Sequence, residues 1–97
     1  GRLEQFLGAL ERAGRVVKLG AGTYVSARDY AAWRDNAIEL LQEGGRLELG
    51  RFRDAIGTGR GIALQVLERL DREGLTRRMG ALRTAGARFM GKTKRRG

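Results

Sequence analysis

The side chains in this sequence that could do chemistry are mainly arginines and lysines, concentrated in the last quarter. All 11 acidic residues precede Leu75, whereas eight of the 20 basic residues follow it, so almost all of the net charge of +9 lies in residues 75–97. A basic block that adjoins a helix indicates a surface for phosphate groups. We therefore expect a nucleic acid as the partner.

The residue types that are absent exclude most other chemistry. The 97 residues contain neither histidine nor cysteine, which removes imidazole and thiolate metal ligands, disulfides, and the usual pairs of a nucleophile with an imidazole. We expect no catalytic residue, no metal site and no cofactor in this chain. No apolar run has the length that a bilayer requires, and we expect a cytoplasmic monomer without membrane contact.

One short motif points to nucleotide chemistry. Residues 86–93 match the phosphate-loop pattern G-x-x-x-x-G-K-[ST], in which main-chain N–H groups and the lysine, here Lys92, surround the phosphates. Such a site needs a parallel strand before the loop and a helix of several turns after it. Only residues 94–97 follow the motif, so we expect no nucleotide site here.

The basic block begins where a predicted helix ends. The apolar positions of this helix recur at the spacing of one face, and they are Ala63, Val66, Leu67 and Leu70. Thr58 is the expected N-cap and Gly74 the expected C-terminal end. Alternation over residues 75–79 predicts a strand, and residues 80–81 a turn. A helix followed by a two-stranded wing is the second half of a winged helix-turn-helix.

The opening residues repeat this pattern at an offset of sixty positions. The identities are Gln5/Gln65, Leu7/Leu67, Leu10/Leu70, Arg12/Arg72, Gly14/Gly74 and Gly20/Gly80. Residues 1–25 should therefore form another helix and wing, with strands at 15–19 and 23–25. The predicted buried face of the first helix is Leu3, Phe6, Leu7 and Leu10. Its front half would precede Gly1, so we expect part of a longer protein, with a partly uncovered core at this end.

The residues between the two repeats supply the front half of the second unit. The segment Ser26–Asp29 resembles a capping box and starts a helix that should stop at Gly44. Trp33 is in phase with the apolar face of that helix, which favours a core position over base stacking. Leu47 and Leu49 are expected to form a short strand, and a brief second helix follows.

These elements predict an α+β fold that is mainly α. The fold is a winged helix-turn-helix, with one complete unit preceded by the helix-plus-wing half of another. Residues 1–33 would hold the C-terminal part of the first unit and the start of a shared helix. Residues 34–83 would form the complete unit, and residues 84–97 a basic, flexible tail.

The order and spacing of residues in the second unit resemble a known family. The segments that carry the resemblance are Phe52–Arg60, Ala63–Glu68 and Asp71–Arg78. They look like the last winged-helix domain of SelB, the bacterial selenocysteine-specific elongation factor. The similarity covers residues 34–83, and residues 1–33 are more loosely similar to the preceding winged helix. The sequence departs from the family pattern at Gly61, where a lysine usually follows the arginine.

The resemblance implies a partner for the chain. In this family the C-terminal winged helices bind a hairpin in selenoprotein mRNA, the selenocysteine insertion element, and tether the factor to that message. The GTPase, with GTP and magnesium, lies in N-terminal domains that this chain lacks, and contacts to the ribosome and to selenocysteyl-tRNA run through the parent protein. Residues 34–83 would then be an RNA-binding domain and not an enzyme.

The candidate RNA contacts lie at the start of the last helix and on the wing. An A-form stem has a deep, narrow major groove, so a hairpin is normally read at its loop, and helix N-termini bind phosphates. Arg77 and Arg78 should turn to opposite faces of their strand, so we favour Arg78 and Arg83 for the stem backbone. The expected contacts are Thr58, Gly59, Arg60, Gln65, Arg77, Arg78 and Arg83, with Arg53 and Lys92 as further positions.

Two other functions remain open at this point. The last helix could enter a DNA major groove, as in winged-helix transcription regulators, although Gln65 is almost alone as a base-reading side chain and Glu68 lies on the same outer face. Tandem winged helices could also act as a spacer that contacts other proteins. Binding to an RNA hairpin, a matching DNA duplex and a scrambled RNA would separate the three functions.

Overall fold

The structure, a computed structural model, describes residues 1–20 and 22–89. Its elements are α1 (Arg2–Arg12), β1 (Val16–Gly20), β2 (Thr23–Ser26), α2 (Ala27–Gly44), β3 (Leu47–Glu48), α3 (Leu49–Ile56), α4 (Arg60–Glu73), β4 (Thr76–Met79) and β5 (Leu82–Ala85). This order confirms the mainly helical α+β prediction, in which a helix and a hairpin precede a complete winged unit.

The second unit consists of three helices and a three-stranded antiparallel sheet. The strand order is β3-β5-β4, which places β5 in the centre with Arg83 paired to Leu47 on one side and to Arg78 on the other. The predicted strand at Leu47 is shorter than expected, because Leu49 already begins α3. At the start of α2 Ser26 is confirmed as the N-cap, which is one half of the predicted capping box, since its hydroxyl accepts a hydrogen bond from the Asp29 amide at 3.0 Å.

The tandem repeat is visible in the helix ends. Gly14 and Gly74 both take left-handed backbone conformations, with φ of 76° and 82°. The hydrogen bonds that close the two helices correspond at the same offset, from Arg15 N to Leu10 O at 2.9 Å and from Leu75 N to Leu70 O at 3.0 Å. Glycine adopts this conformation without a Cβ clash, which is why both helices end there and a hairpin can follow.

Both units contribute to one hydrophobic core. The four apolar positions predicted on α4 are fully buried, and Leu19 of β1 joins them at 1% exposure. Trp33 packs partly buried against the same core, as its position on α2 predicts. The hairpin of the first unit therefore rests on the helices of the second.

Helix α1 lies at the edge of this core. Its expected buried face is largely open, with Leu3 67% and Phe6 60% exposed, and α1 contains no buried residue. The prediction that these positions form a buried face is therefore wrong. The expectation of a partly uncovered core at this end of the chain is confirmed.

The fold continues past Arg83, where the sequence placed the end of the second unit. Strand β5 runs to Ala85, the Gly86 amide donates to the Leu75 carbonyl at 2.9 Å, and Phe89 is only 7% exposed. Residues 84–89 therefore belong to the unit. The remainder of the predicted tail lies outside the described residues. None of the described helices combines the length and the apolarity that crossing a membrane would require.

Candidate nucleic-acid interface

The first turn of α4 offers main-chain donors together with an arginine. Gly59 is the N-cap, with φ −76° and ψ 166°, and within the described residues no side chain caps the turn. The Thr58 hydroxyl instead donates to the Gly59 carbonyl at 3.1 Å, so the prediction of Thr58 as N-cap is wrong. Gly59, Arg60 and Gly61 are all exposed. Uncapped N–H groups at a helix N-terminus attract anions, and here they adjoin a positive side chain.

The wing places its arginines on two different faces. In the antiparallel register Arg78 lies opposite Arg83 and Arg77 lies opposite Thr84, so consecutive side chains alternate as expected. Arg78 shares the face of the buried Thr76 and Arg83 and therefore points along the side that packs toward α4. Its guanidinium donates to the Gly80 carbonyl at 3.3 Å. Arg77 is exposed on the outer face.

A cleft separates α4 from the wing. It has a volume of about 530 Å³ and its lining includes Arg60, Leu64 and Glu68 from α4, Glu48 from β3, and Arg78, Leu82 and Arg83 from the wing. The α4 residues are spaced by four and form one stripe along the helix. Sequence reasoning missed Leu64, Glu68 and Glu48 as parts of a site, although the stripe that begins at Arg60 is a signal that the sequence contains.

Arg83 does not contribute a free charge to this surface. Only 4% of the residue is exposed, and its guanidinium donates to both carboxylate oxygens of Asp71, from Nε to Oδ1 at 3.2 Å and to Oδ2 at 3.1 Å, and from Nη2 to Oδ2 at 3.0 Å. A buried arginine in a bidentate pair has its charge compensated, and here Nε and Nη2 are both engaged. The burial and the ion pair count against the expected contact of Arg83 with the RNA backbone and give the residue a structural role.

The opposite flank of α4 is covered by the first unit. Arg69 donates to the Lys18 carbonyl at 2.8 Å and Arg72 to the Leu19 carbonyl at 2.7 Å. The Oε1 atom of Gln65 is buried, has no hydrogen-bond partner within the described residues, and lies 3.2 Å from the point where a Cβ on Gly20 would sit. The burial of this oxygen beside Gly20 counts against the expected role of Gln65 in base reading, although the residue as a whole is half-buried.

A polar network supports this junction between the units. The Tyr30 hydroxyl donates to Glu73 Oε2 at 2.8 Å, and Arg69 Nε donates to the same oxygen at 2.9 Å. Burial raises the pKa of the Tyr30 hydroxyl well above its usual range, and the hydrogen bond to Glu73 raises it further. The hydrogen bond with Glu73 likewise raises the pKa of Arg69. Tyr30 therefore stays neutral and Arg69 charged at neutral pH.

The remaining expected contacts lie elsewhere. Arg53 is half-buried on α3 and its Nη2 lies 3.2 Å from Asp54 Oδ1, so this charge is paired with a neighbour. Lys92 lies outside the described residues. Of the positions predicted from the sequence, the structure thus brings Arg60, Arg78 and the paired Arg83 to one cleft and leaves Arg77 on the wing's outer face.

The first glycine of the phosphate-loop pattern has a packing role. A Cβ on Gly86 would lie 2.3 Å from the Gly74 carbonyl oxygen and 3.0 Å from that of Thr76, so glycine is required for the chain to cross the end of α4. In residues 1–20 and 22–89 there is also no cluster of three or more carboxylates that could hold a metal ion.

Known proteins are similar to this winged unit in sequence and in structure. The family model described as elongation factor SelB, winged helix, matches residues 39–85. Among solved structures, the mRNA-binding domain of elongation factor SelB from E. coli in complex with SECIS RNA is similar with a TM-score of 0.75 and 30% sequence identity, over 82% of this chain and 66% of that one. The chain thus spans just under two thirds of that structure. No curated protein sequence matches significantly. The matched winged unit, with its helix α4 and its basic wing, makes this chain similar to the winged-helix region of the SelB elongation factors.

Proposed function

We propose that this chain binds an mRNA hairpin of the SECIS type and so tethers its protein to that message. The observation that carries the proposal is the pair formed by Arg60 and Arg78, two exposed arginines that line one cleft beside the uncapped N-terminus of α4. The similar E. coli domain is described in complex with SECIS RNA, which supports the same class of ligand.

The cleft suits a hairpin loop better than a regular duplex. Phosphates would lie toward Arg60, the α4 amides and Arg78, where charge-assisted hydrogen bonds are available. The carboxylates of Glu48 and Glu68 repel phosphates but accept hydrogen bonds from the N–H groups of an unstacked base. Such a mixed lining favours a ligand that presents both backbone and splayed bases, as a loop does.

The covered flank of α4 argues against a DNA duplex. A recognition helix in a major groove needs its outer surface free over several turns. Here Arg69 and Arg72 are engaged with β1 and the Gln65 oxygen is buried. The accessible part is the N-terminal turn with the narrow stripe of Leu64 and Glu68 that lines the cleft. This geometry favours contact at one end of the helix, which a loop permits.

The proposal extends to the protein that contains this region. The chain itself acts without catalysis and without a cofactor, as a monomer, through arginines and main-chain amides. GTP hydrolysis and contacts with the ribosome and selenocysteyl-tRNA belong to other parts of the factor, which works in the cytoplasm. The similarity to the SelB winged-helix region supports these assignments.

A binding experiment tests the proposal. Affinity for a SECIS RNA hairpin is measured as a function of salt, beside a DNA duplex of matching sequence and a scrambled RNA. The hairpin should bind most tightly, and Arg60→Ala should weaken it by about 1–3 kcal/mol if the side chain reads a base. The control is Arg28→Ala, an exposed arginine in the first turn of α2, which should bind like the parent.

Two results would contradict the proposal. Equal affinity for the hairpin and the scrambled RNA would leave only non-specific attraction to phosphates. Preference for the duplex would favour a transcription regulator instead. If Arg60→Ala and Arg28→Ala behave alike, the interface does not include the N-terminal turn of α4.

A further inference from the structure

Asp71 joins three elements of the second unit. Its carboxylate accepts a hydrogen bond of 2.6 Å from the hydroxyl of Thr76 in β4. It also accepts hydrogen bonds of 3.0 to 3.2 Å from Nε and Nη2 of Arg83 in β5. Asp71 itself lies in the last turns of α4. The wing is thereby attached to the helix whose other end carries Arg60.

This attachment is a costly way to hold a hairpin. The side chains of Arg83 and Asp71 are 5% and 24% exposed, and Thr76 is 3% exposed. Removing two charges from water offsets most of their mutual attraction, and apolar side chains of similar volume commonly stabilise a site as well or better. The ion pair therefore calls for a role other than stability.

The first unit has a helix and a hairpin without this ion pair. At an offset of sixty residues, the counterparts of Asp71, Thr76 and Arg83 are Glu11, Val16 and Thr23. The apolar positions and the closing glycine repeat, but the buried arginine does not. The ion pair is specific to the unit whose wing lines the cleft.

The geometry of the pair acts on Arg78. Arg83 and Arg78 are directly opposite across β4 and β5 and share one face of the sheet, where two like charges would otherwise repel. Asp71 neutralises Arg83, and a bidentate guanidinium pair fixes direction as well as distance. The angle between wing and α4, and with it the position of Arg78 across the cleft from Arg60, depends on this contact.

We propose that Asp71 and Arg83 are positioning residues, which set the wing against α4 so that Arg78 reaches the same RNA as Arg60. This inference rests on the proposed RNA-binding function. RNA recognition would then depend on the angle between the wing and α4 as well as on the surface charge of the wing.

The test replaces the polar contact by an apolar one. A triple variant carries Asp71→Leu, Thr76→Val and Arg83→Met, which should fold with unchanged or higher resistance to heat. Residual dipolar couplings of the β4 and β5 amides, measured without RNA, report the angle between wing and helix. We expect the couplings to depart from those of the parent. Unchanged couplings would overturn the inference whether or not the protein binds RNA.

A second measurement links the orientation to binding. In the parent, Arg78→Ala should weaken the affinity for a SECIS RNA hairpin by about tenfold, and in the triple variant by less than about twofold, because Arg78 is already misplaced. The control is Asp54→Asn, which breaks an exposed pair with Arg53 in the same unit and should leave the effect of Arg78→Ala intact.

The outcomes separate this inference from the proposed function. A parent that does not prefer the hairpin refutes the function, and the couplings still decide the orientation. A parent that binds, with the same effect of Arg78→Ala in the triple variant, refutes the positioning role alone.

Discussion

The guanidinium of Arg72, in the last turn of α4, donates a hydrogen bond of 2.7 Å to the main-chain carbonyl of Leu19 in β1. A helix of the second unit thus provides a hydrogen-bond donor to a main-chain carbonyl of the first unit's hairpin. Arg69 does the same one turn earlier, at the Lys18 carbonyl. Because Leu19 is also part of the shared core, polar and apolar contacts hold the two units together at the same place.

Loss of the Arg72 contact should destabilise the protein. We expect Arg72→Ala to lower the free energy of unfolding by about 1–2 kcal/mol, because the Leu19 carbonyl loses a charged donor. Unfolding in urea measures the effect. Arg12→Ala is the matched control, since Arg12 occupies the equivalent place in α1 and is exposed. Equal losses in the two variants would show that the contact between units contributes nothing.

Tyr30 should make the stability depend on alkaline pH. Burial, followed by the hydrogen bond to Glu73, raises the pKa of its hydroxyl in the folded state. The resulting stabilisation is complete below the unfolded pKa of about 10 and is lost as the pH rises toward the folded pKa. Tyr30→Phe should cost about 1 kcal/mol at pH 7. Its deficit relative to the parent should shrink above pH of about 10. A deficit that stays constant in urea unfolding across that range would contradict this assignment.

Gly86 should not tolerate a side chain. A Cβ there would lie 2.3 Å from the Gly74 carbonyl oxygen, so the main chain must move and its hydrogen bond to Leu75 is strained. We expect Gly86→Ala to lower the free energy of unfolding by about 1–3 kcal/mol. Gly61→Ala, where no atom of the described chain lies within 4 Å of the new Cβ, should gain up to about 1 kcal/mol. Thermal unfolding of both variants checks this contrast.

A lysine at Gly61 should strengthen RNA binding. Gly61 is exposed in the first turn of α4, beside Arg60, and a side chain there meets open space. Gly61→Lys adds a cation next to the proposed phosphate contacts, so the slope of log affinity against log salt for a SECIS RNA hairpin should steepen by about one. Gly44→Lys adds the same charge at the end of α2. A similar gain in both variants would indicate only general attraction.

Local patterns carried much of the fold. The apolar spacing on α4, the Ser26 capping and the closing glycines all depend on residues within one or two turns of each other, and the structure confirms them. The repeat at an offset of sixty residues predicted the first hairpin, because the same local pattern of apolar residues and glycines recurs there. The end of the second unit was missed because Phe89 is buried by residues distant in sequence, which no short-range period records.

The candidate site was predictable only in part. Strand alternation assigns Arg77 and Arg78 to opposite faces, and the helix start brings Gly59 and Arg60 together. Thr58 has the residue type of an N-cap, but its hydroxyl donates to the Gly59 carbonyl instead. A threonine hydroxyl can accept from a helix amide or donate to a carbonyl, so the residue type of Thr58 did not decide between these two hydrogen bonds.

By itself the sequence determined that this protein is a tandem of helix and wing, with its net positive charge in the second wing and the residues after it. Only the tertiary structure decided which of those charges are free. Arg83 and Arg78 are both wing arginines, and the sequence does not distinguish them. Arg83 lies on the central strand beside Asp71 of α4, and it is buried in an ion pair with that residue. Likewise Gln65 lies on the expected outer face of its helix, but β1 packs beside it and buries its amide oxygen. Burial and pairing are set by contacts between distant segments, so residue type and local spacing do not contain them.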